Sequence, residues 1–452
     1  MEEDIHDYGI KSTFLKRPSI QKQLELLKSV AKEAEDIIEL ESANNPEIRY
    51  ALGIIERFLI KKKRVCYGGT AINALLPKSL KFYDSEKDLP DYDFFTPDPE
   101  ADIKGIVHDL EMAGFTEVVE RIGMHEGTHK ILVNYIPVAD ITSIDPTIYR
   151  NIYERSIPYH GIHYADPDFL RMMMYLELSR PRGEVARWEK VFERLTLLNG
   201  AFPIRACKAS TESIVGSIHI PVVIRKALLE YVLEKQRILV GADVVILYDW
   251  LISNKKYKPP TIQWFLKRNG MMVFFSPEAT HDGLELKRLF GPEGITIETI
   301  RGGTEIIPQR TVVSFRGMPF VMIVQETACH SYTTIALSDG KKLKIGSLET
   351  MITLYFALAF FTSDEKILGF LMFCLSQKLV EMSEILHKMG GKGPIPAFSI
   401  ECSGYQKGYA TLLREKVARI AREKNKRRGS SYRRGSTQRV RLHKGKRTRR
   451  NR

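Results

Sequence analysis

Apolar positions recur at helical spacing early in the chain. Between residues 19 and 42 these are Leu24, Leu27, Val30, Ala34, Ile37 and Ile38. Asn45 and Pro46 then supply an N-cap and a first-turn proline, and Ile48, Leu52, Ile55 and Leu59 follow on one face of a second helix. This prelude predicts packing and implies no chemistry. Further on, the apolar stretch from Ile131 to Ile141 predicts a single strand that delivers Asp140 near its end.

The pattern then repeats. Arg64–Gly69 is echoed by Arg237–Ala242, and Asp93–Asp98 by Val273–Glu278. Pro137–Asp140 is echoed by Pro319–Met322, and Ala165–Leu170 by Ile345–Thr350. Short matches arise by chance, but their collinear order predicts a duplication. Under this alignment Asp91, Asp93 and Asp140 of the first copy become Met271, Val273 and Met322. Apolar side chains cannot hold a hard cation, so the second copy is expected to lack catalysis.

The chemistry sits in the first copy. Tyr67-Gly68-Gly69-Thr70-Ala71-Ile72-Asn73 places a glycine pair before a helix, where backbone N–H groups favour a phosphate. Asp91-Tyr92-Asp93-Phe94-Phe95 follows; in an extended strand Asp91 and Asp93 would point to one side as a pincer for a divalent cation. Alone, the first is more often a tight turn and the second a solvated loop. Asp140 reads either as a strand-terminal turn residue or as a third ligand of a two-metal centre. Together, in this order, they read as nucleotide chemistry.

These motifs resemble the polymerase-beta-type nucleotidyltransferases, and in their fuller text the poly(A) polymerase catalytic subunits of poxviruses and giant DNA viruses. The resemblance is specific over residues 60–200 and weaker to about residue 410. It implies that Asp91, Asp93 and Asp140 are the catalytic, metal-binding triad for two Mg²⁺ or Mn²⁺ ions. It implies too that Gly68, Gly69 and Thr70 bind the triphosphate, and that ATP and the 3′ end of an mRNA are the substrates. The fold expected is α+β, with tandem nucleotidyltransferase-like domains, each a mixed sheet flanked by helices, the second degenerate. Its expected parts are an N-terminal helical segment (1–60), a catalytic domain (61–207), a degenerate domain (208–410) and a disordered basic tail (411–452).

Composition refines the picture. The formal net charge is +13, yet residues 424–452 hold fourteen Lys or Arg and no acid, leaving 13 − 14 = −1 for the rest. Such a run neutralises phosphates, although a solvated charge run or a targeting address has the same composition. Cys66, Cys207, Cys329, Cys374 and Cys402 lack metal-like spacing, and their odd number predicts free thiols in a reducing compartment. The opening Met1-Glu2-Glu3-Asp4 lacks the layout of a signal peptide. Apolar runs such as Leu354–Phe361 fall far short of the ~20 residues that span a bilayer. No membrane is expected; a cytoplasmic location is, in the virus factory of the host cell or packaged in the virion. A homodimer is expected as well.

Between the copies, Arg187 and Lys190 sit three apart on one helical face. They are either ordinary surface cations or nucleotide-binding groups that clamp the triphosphate. His125, His129, His160 and His163 have no zinc-like spacing. Three functions compete: a template-independent RNA 3′-adenylyltransferase, a nucleotidyltransferase with another acceptor, and a non-catalytic RNA-binding scaffold. The intact triad argues against the scaffold.

Overall fold

The computed structural model describes residues 18–84, 88–204, 207, 220–253, 259–268, 270–302, 306, 308–361 and 366–425. The two opening helices form as the spacing predicts, α1 over Pro18–Ala43 and α2 over Pro46–Lys62. The Asn45 side-chain oxygen accepts from the N–H groups of Glu47 at 2.9 Å and Ile48 at 3.3 Å, capping α2. Ile48, Leu52, Ile55 and Leu59 are buried, as expected. The stripe on α1 differs: Leu24, Leu27, Val30, Ile37 and Ile38 are exposed, Leu27 by 64%. Nothing within the described residues covers that face.

The first sheet is built from β1 (Val65–Tyr67), α3 (Gly68–Leu75), β2 (Tyr92–Thr96), α4 (Pro99–Met112), β3 (Val118–Ile122), β4 (Thr128–Val133) and β5 (Ile136–Ser143). It continues through α5 (Pro146–Arg155), β6 (Ile157–Tyr159), β7 (Ile162–Tyr164), α6 (Pro167–Leu178) and α7 (Trp188–Ala201). Its strand order is β3-β4-β5-β2-β1-β7-β6. The single strand expected over 131–141 is instead a hairpin. Asn134 and Tyr135 take positive φ angles of 49° and 63°, the signature of a two-residue reversal that suits the twist of paired strands. An apolar run cannot by itself reveal such a turn.

The second sheet comprises α8 (Val222–Glu234), β8 (Ile238–Leu239), α9 (Ala242–Ser253), α10 (Ile262–Leu266), β9 (Met272–Ser276), α11 (Ala279–Phe290), β10 (Ile295–Ile300), β11 (Arg310–Phe315) and β12 (Met318–Gln325). After these come β13 (His330–Ala336), β14 (Lys342–Gly346), α12 (Leu348–Phe361), α13 (Lys366–Lys388) and β15 (Cys402–Ser403). Its order, β10-β11-β12-β9-β8-β14-β13-β15, reproduces the first with one strand added at the edge. Strand directions repeat too: β1 with β2 and β8 with β9 are antiparallel, β2 with β5 and β9 with β12 parallel.

Side chains repeat with the topology. Arg64 forks onto Asp102 of α4 at 2.6 and 3.0 Å, and Arg237 forks onto Asp282 of α11 at 2.8 Å twice. The register sets Cys66 opposite Phe94 and Leu239 opposite Phe274, which equates Asp93 with Val273 as the sequence alignment did. One segment shifts. Cys66 pairs with Tyr164 and Leu239 with Ile345, so Ala165 corresponds to Gly346, one residue later than the sequence match.

Helix α12 is buried over nearly its whole length and packs against both α6 and α13, so the two sheets share it. Arg155 of α5 lies 4.9 Å from the Phe360 ring, and Asn151 donates to the Phe360 carbonyl at 3.2 Å. The cysteines overturn the expectation of free thiols. Cys207 is bonded to Cys374 and Cys329 to Cys402, and Cys66 alone is free. Sequence spacing gave no hint, because the partners lie 167 and 73 residues apart.

After β15, residues 409–425 form a helix, α14, so the part of the expected tail from 411 to 425 is helical. Arg419 of α14 donates to the carbonyls of Gly123 at 3.3 Å and Met124 at 2.7 Å, in the β3–β4 turn. The remaining tail lies outside the described residues. None of the described helices is long and apolar enough to cross a membrane.

Glu349, in the first turn of α12, is buried with no partner for its Oε1. Burial pushes its carboxyl up to about 7. The fold therefore tolerates the neutral acid, and stability present below the ordinary carboxylate range is lost as pH rises through about 7. Glu349→Gln should raise the melting temperature at pH 8, by up to about 3 kcal/mol of stability, and change little at pH 5. Equal shifts at both pH values would refute this.

Candidate active site

Helix α3 starts directly out of β1, so the glycine pair forms its first turn. Gly68 has φ +74°, a region that disfavours other residues, and a β-carbon there would lie 2.6 Å from Asp93 Oδ2. The phosphate-type turn and the carboxylates are thus one place. Thr70 Oγ1 is buried there without a hydrogen-bond partner. Beneath, Tyr67 stacks on Phe95 at 4.0 Å and shares a 2.8 Å hydrogen bond with Thr142.

Asp93 of β2 stands directly across from Asp140 of β5 on the neighbouring parallel strand. Asp91 lies just before β2, where the Asp93 N–H bonds to the Asp91 carbonyl at 3.1 Å. The pincer is therefore a tight bend entering the strand, not two positions along it.

Crowding shows in the titration behaviour. Burial first, then the charges of Asp91 and Asp140, push Asp93 up to about 8. Asp91, although solvent reaches it, is raised too, by burial among neighbouring atoms and then by Asp140.

Lys130 of β4 pairs with Asp140 Oδ2, while the buried Oδ1 has no partner. A register shift makes this pairing. Leu132 faces Pro137, but Ile131 faces Ala139, so Val138 bulges and Lys130 meets Asp140. The second sheet repeats it: Ser314 faces Pro319 and Val313 faces Val321, so Phe320 bulges.

Among the described residues no three His, Cys, Asp or Glu side chains stand close enough to hold a metal as the structure is arranged. An ammonium occupies one oxygen where a cation would bind. The donors nonetheless fit a hard divalent ion. The neighbouring carboxylates raise the affinity of Asp93 and Asp91 for positive charge, and Asp140 keeps one oxygen unbonded. His129 instead meets Glu120 at 3.1 Å, and His163 meets Ser156 at 2.9 Å.

Of the two cations singled out in the sequence, Arg187 is shared between Glu177 at 3.4 Å and Glu184 at 3.2 Å, and its charge also reaches Asp93. Lys190 is exposed on α7. Sequence reasoning missed Arg194, one turn further along α7, whose guanidinium approaches Gly69. It also missed Lys130, whose place opposite Asp140 depends on the bulge, and Tyr83, which bonds Arg194 at 2.5 Å. The helical spacing of Lys190 and Arg194 was the available signal for the arginine.

The corresponding place in the second sheet is closed. Val273 and Met322 replace Asp93 and Asp140, and Asp243 stands where Thr70 does. Asp243 pairs with Arg225 of α8, which also donates to the carbonyls of Phe265 at 2.7 Å and Gly270 at 3.1 Å. A built-in carboxylate thus fills the turn that would receive an anion.

Residues 53–184 match the family described as poly(A) polymerase catalytic subunit. A protein of African swine fever virus (strain Badajoz 1971 Vero-adapted) described as a poly(A) polymerase catalytic subunit is 31% identical over 175 residues, 37% of this chain and 36% of that one. One of Acanthamoeba polyphaga mimivirus, with the same description, is 32% identical over 163 residues, 35% of this chain and 27% of that one. The matched stretch therefore spans about a third of these relatives' length. The crystal structure of the Megavirus polyadenylate synthase shares the fold, with a TM-score of 0.70 and 20% identity over 94% of this chain and 86% of that chain.

Proposed function

From residues 53–184, which match the poly(A) polymerase catalytic subunit family, we propose a template-independent polynucleotide adenylyltransferase. It transfers AMP from ATP to the 3′ end of RNA, and viral mRNA is its acceptor. The observation that carries this reading is the contact of the Gly68 turn with the Asp93 carboxylate, which joins a phosphate site to a cation site.

In this reading Asp91, Asp93 and Asp140 hold two Mg²⁺ or Mn²⁺ ions. Such ions acidify the attacking hydroxyl and stabilise the departing pyrophosphate. The chain's own groups do the rest. The first N–H groups of α3 and the free Thr70 hydroxyl receive phosphate oxygens. Gly68 admits the nucleotide beside Asp93 because no β-carbon stands in the way. Arg187, whose charge reaches Asp93, and the exposed Lys190 add positive potential, which favours the accumulating charge of the leaving group.

Incubating the protein with labelled oligo(A), Mg²⁺ or Mn²⁺ and each NTP separately tests the assignment. An ATP-dependent ladder supports it. Nucleotide turnover without extension indicates another acceptor, and RNA binding alone indicates a scaffold.

The exposed apolar face of α1 supports a homodimer, since a stripe of that length is unfavourable in water. Light scattering that reports only monomer at micromolar concentration removes this part. The basic segment 424–452 holds the RNA between additions in the same reading. Deleting it should flatten the salt dependence of RNA binding by about 0.7 in log–log slope per lost phosphate contact, leaving the chemical step intact. An unchanged slope assigns the segment to another role.

A further inference from the structure

The sequence placed the triphosphate clamp on Arg187 and Lys190, but a different side chain reaches the glycine turn. We propose that Arg194, held by Tyr83, is the residue that binds the polyphosphate of the incoming nucleotide. This rests on the nucleotidyl-transfer reading above and adds a named contact and its positioning residue.

Three features carry it. The first is contact: a β-carbon at Gly69 would lie 2.7 Å from Arg194 Nη1 and 3.1 Å from the Tyr83 hydroxyl. Gly69 has no positive φ that would call for glycine, and a β-carbon there would crowd both the guanidinium and the Tyr83 hydroxyl. The second is availability. Arg187 is already shared by two carboxylates, whereas Arg194 makes no ion pair among the described residues. Its partners are the neutral Tyr83 hydroxyl and the faces of Phe82 at 4.7 Å and Tyr83 at 5.3 Å. Its charge reaches Glu177 only through space. Stacking on ring faces leaves guanidinium N–H groups at the edge free, and their fork matches phosphate oxygens.

The third feature is support. Asn73 of α3 accepts from the backbone N–H groups of Phe82 at 2.9 Å and Tyr83 at 3.0 Å, and donates to the Tyr83 carbonyl at 3.3 Å. The helix that presents the phosphate turn therefore also fixes the loop that aims the arginine. Thr70 Oγ1, buried and unpartnered, adds a second donor to the same turn.

Calorimetric titration of the full chain with inorganic tripolyphosphate, and separately with adenosine, tests this. Arg194→Met should weaken tripolyphosphate binding on the order of 10- to 100-fold, Arg194→Lys less, and neither should alter adenosine binding. Tyr83→Phe, which keeps the ring and the arginine, should weaken tripolyphosphate about 3- to 10-fold. In the extension assay both should raise the KM for ATP more than they lower kcat. Arg194→Lys, which keeps the charge and the stem, guards against misfolding of the methionine variant. Unchanged tripolyphosphate affinity in Arg194→Met, with loss in Arg187→Met, overturns the proposal. Arg194-dependent tripolyphosphate binding by a protein that never extends RNA leaves this proposal standing and removes the polymerase reading instead.

Discussion

Replacing Asp91 and Asp93 together by alanine is expected to abolish nucleotide addition while the protein stays folded and still binds RNA. In the proposed reading, ions held by these carboxylates would supply several kcal/mol of transition-state stabilisation, and each 1.4 kcal/mol is a factor of ten in rate. Loss of both ligands should therefore cost on the order of 10³-fold or more. Folding should not suffer. Asp93 is pushed up to about 8, chiefly by burial, so in the absence of cations its ionised form is a burden on the fold. The double variant should melt no lower than the parent in the absence of divalent ions. Primer extension at near the parental rate would show that the ligands lie elsewhere.

The second large effect is expected far from the reaction. Arg225 is fully buried, and Arg225→Met leaves Asp243 without its counter-charge inside the second sheet's core. Removing one partner of a buried pair costs about 3–5 kcal/mol, whereas replacing both is often close to neutral. Arg225→Met should thus lower the urea midpoint strongly, and Arg225→Met with Asp243→Asn should recover most of the loss. Extension activity per folded molecule should hardly change, because the pair lies in the second sheet, away from the proposed site. A double variant as unstable as the single one would mean that the carbonyl bonds to Phe265 and Gly270 dominate.

Much of this was legible in the chain. The capped helix at Asn45, the internal repeat and the substitution of Asp93 and Asp140 by Val273 and Met322 follow from residue type and spacing, which are local or collinear signals. What stayed hidden depends on contacts between distant segments. The Asn134-Tyr135 reversal was masked by apolar residues on both sides. The meeting of Lys130 with Asp140 needs both that turn and the bulge at Val138, for an unbulged hairpin would set Lys130 against Ala139. Arg194 and Tyr83 are 111 residues apart and meet only through Asn73's hold on the intervening loop. The disulfides are hidden for the same reason.

The bulge also carries a history. It occurs at Val138 and again at Phe320, and the Arg64–Asp102 fork recurs as Arg237–Asp282. An irregularity shared by both halves is most simply inherited from one ancestor, so the distorted hairpin is older than the doubling of the gene. On that shared frame one half carries Asp93 and Asp140 and the other Val273 and Met322. Opposite Met322 stands Val312, where the first half has Lys130 opposite Asp140, so the carboxylate and its counter-ion are present or absent together. Asp243 and Arg225 fill the corresponding turn of the second half. Aspartates placed at 271, 273 and 322 would put the first half's carboxylates into a half whose turn is already filled.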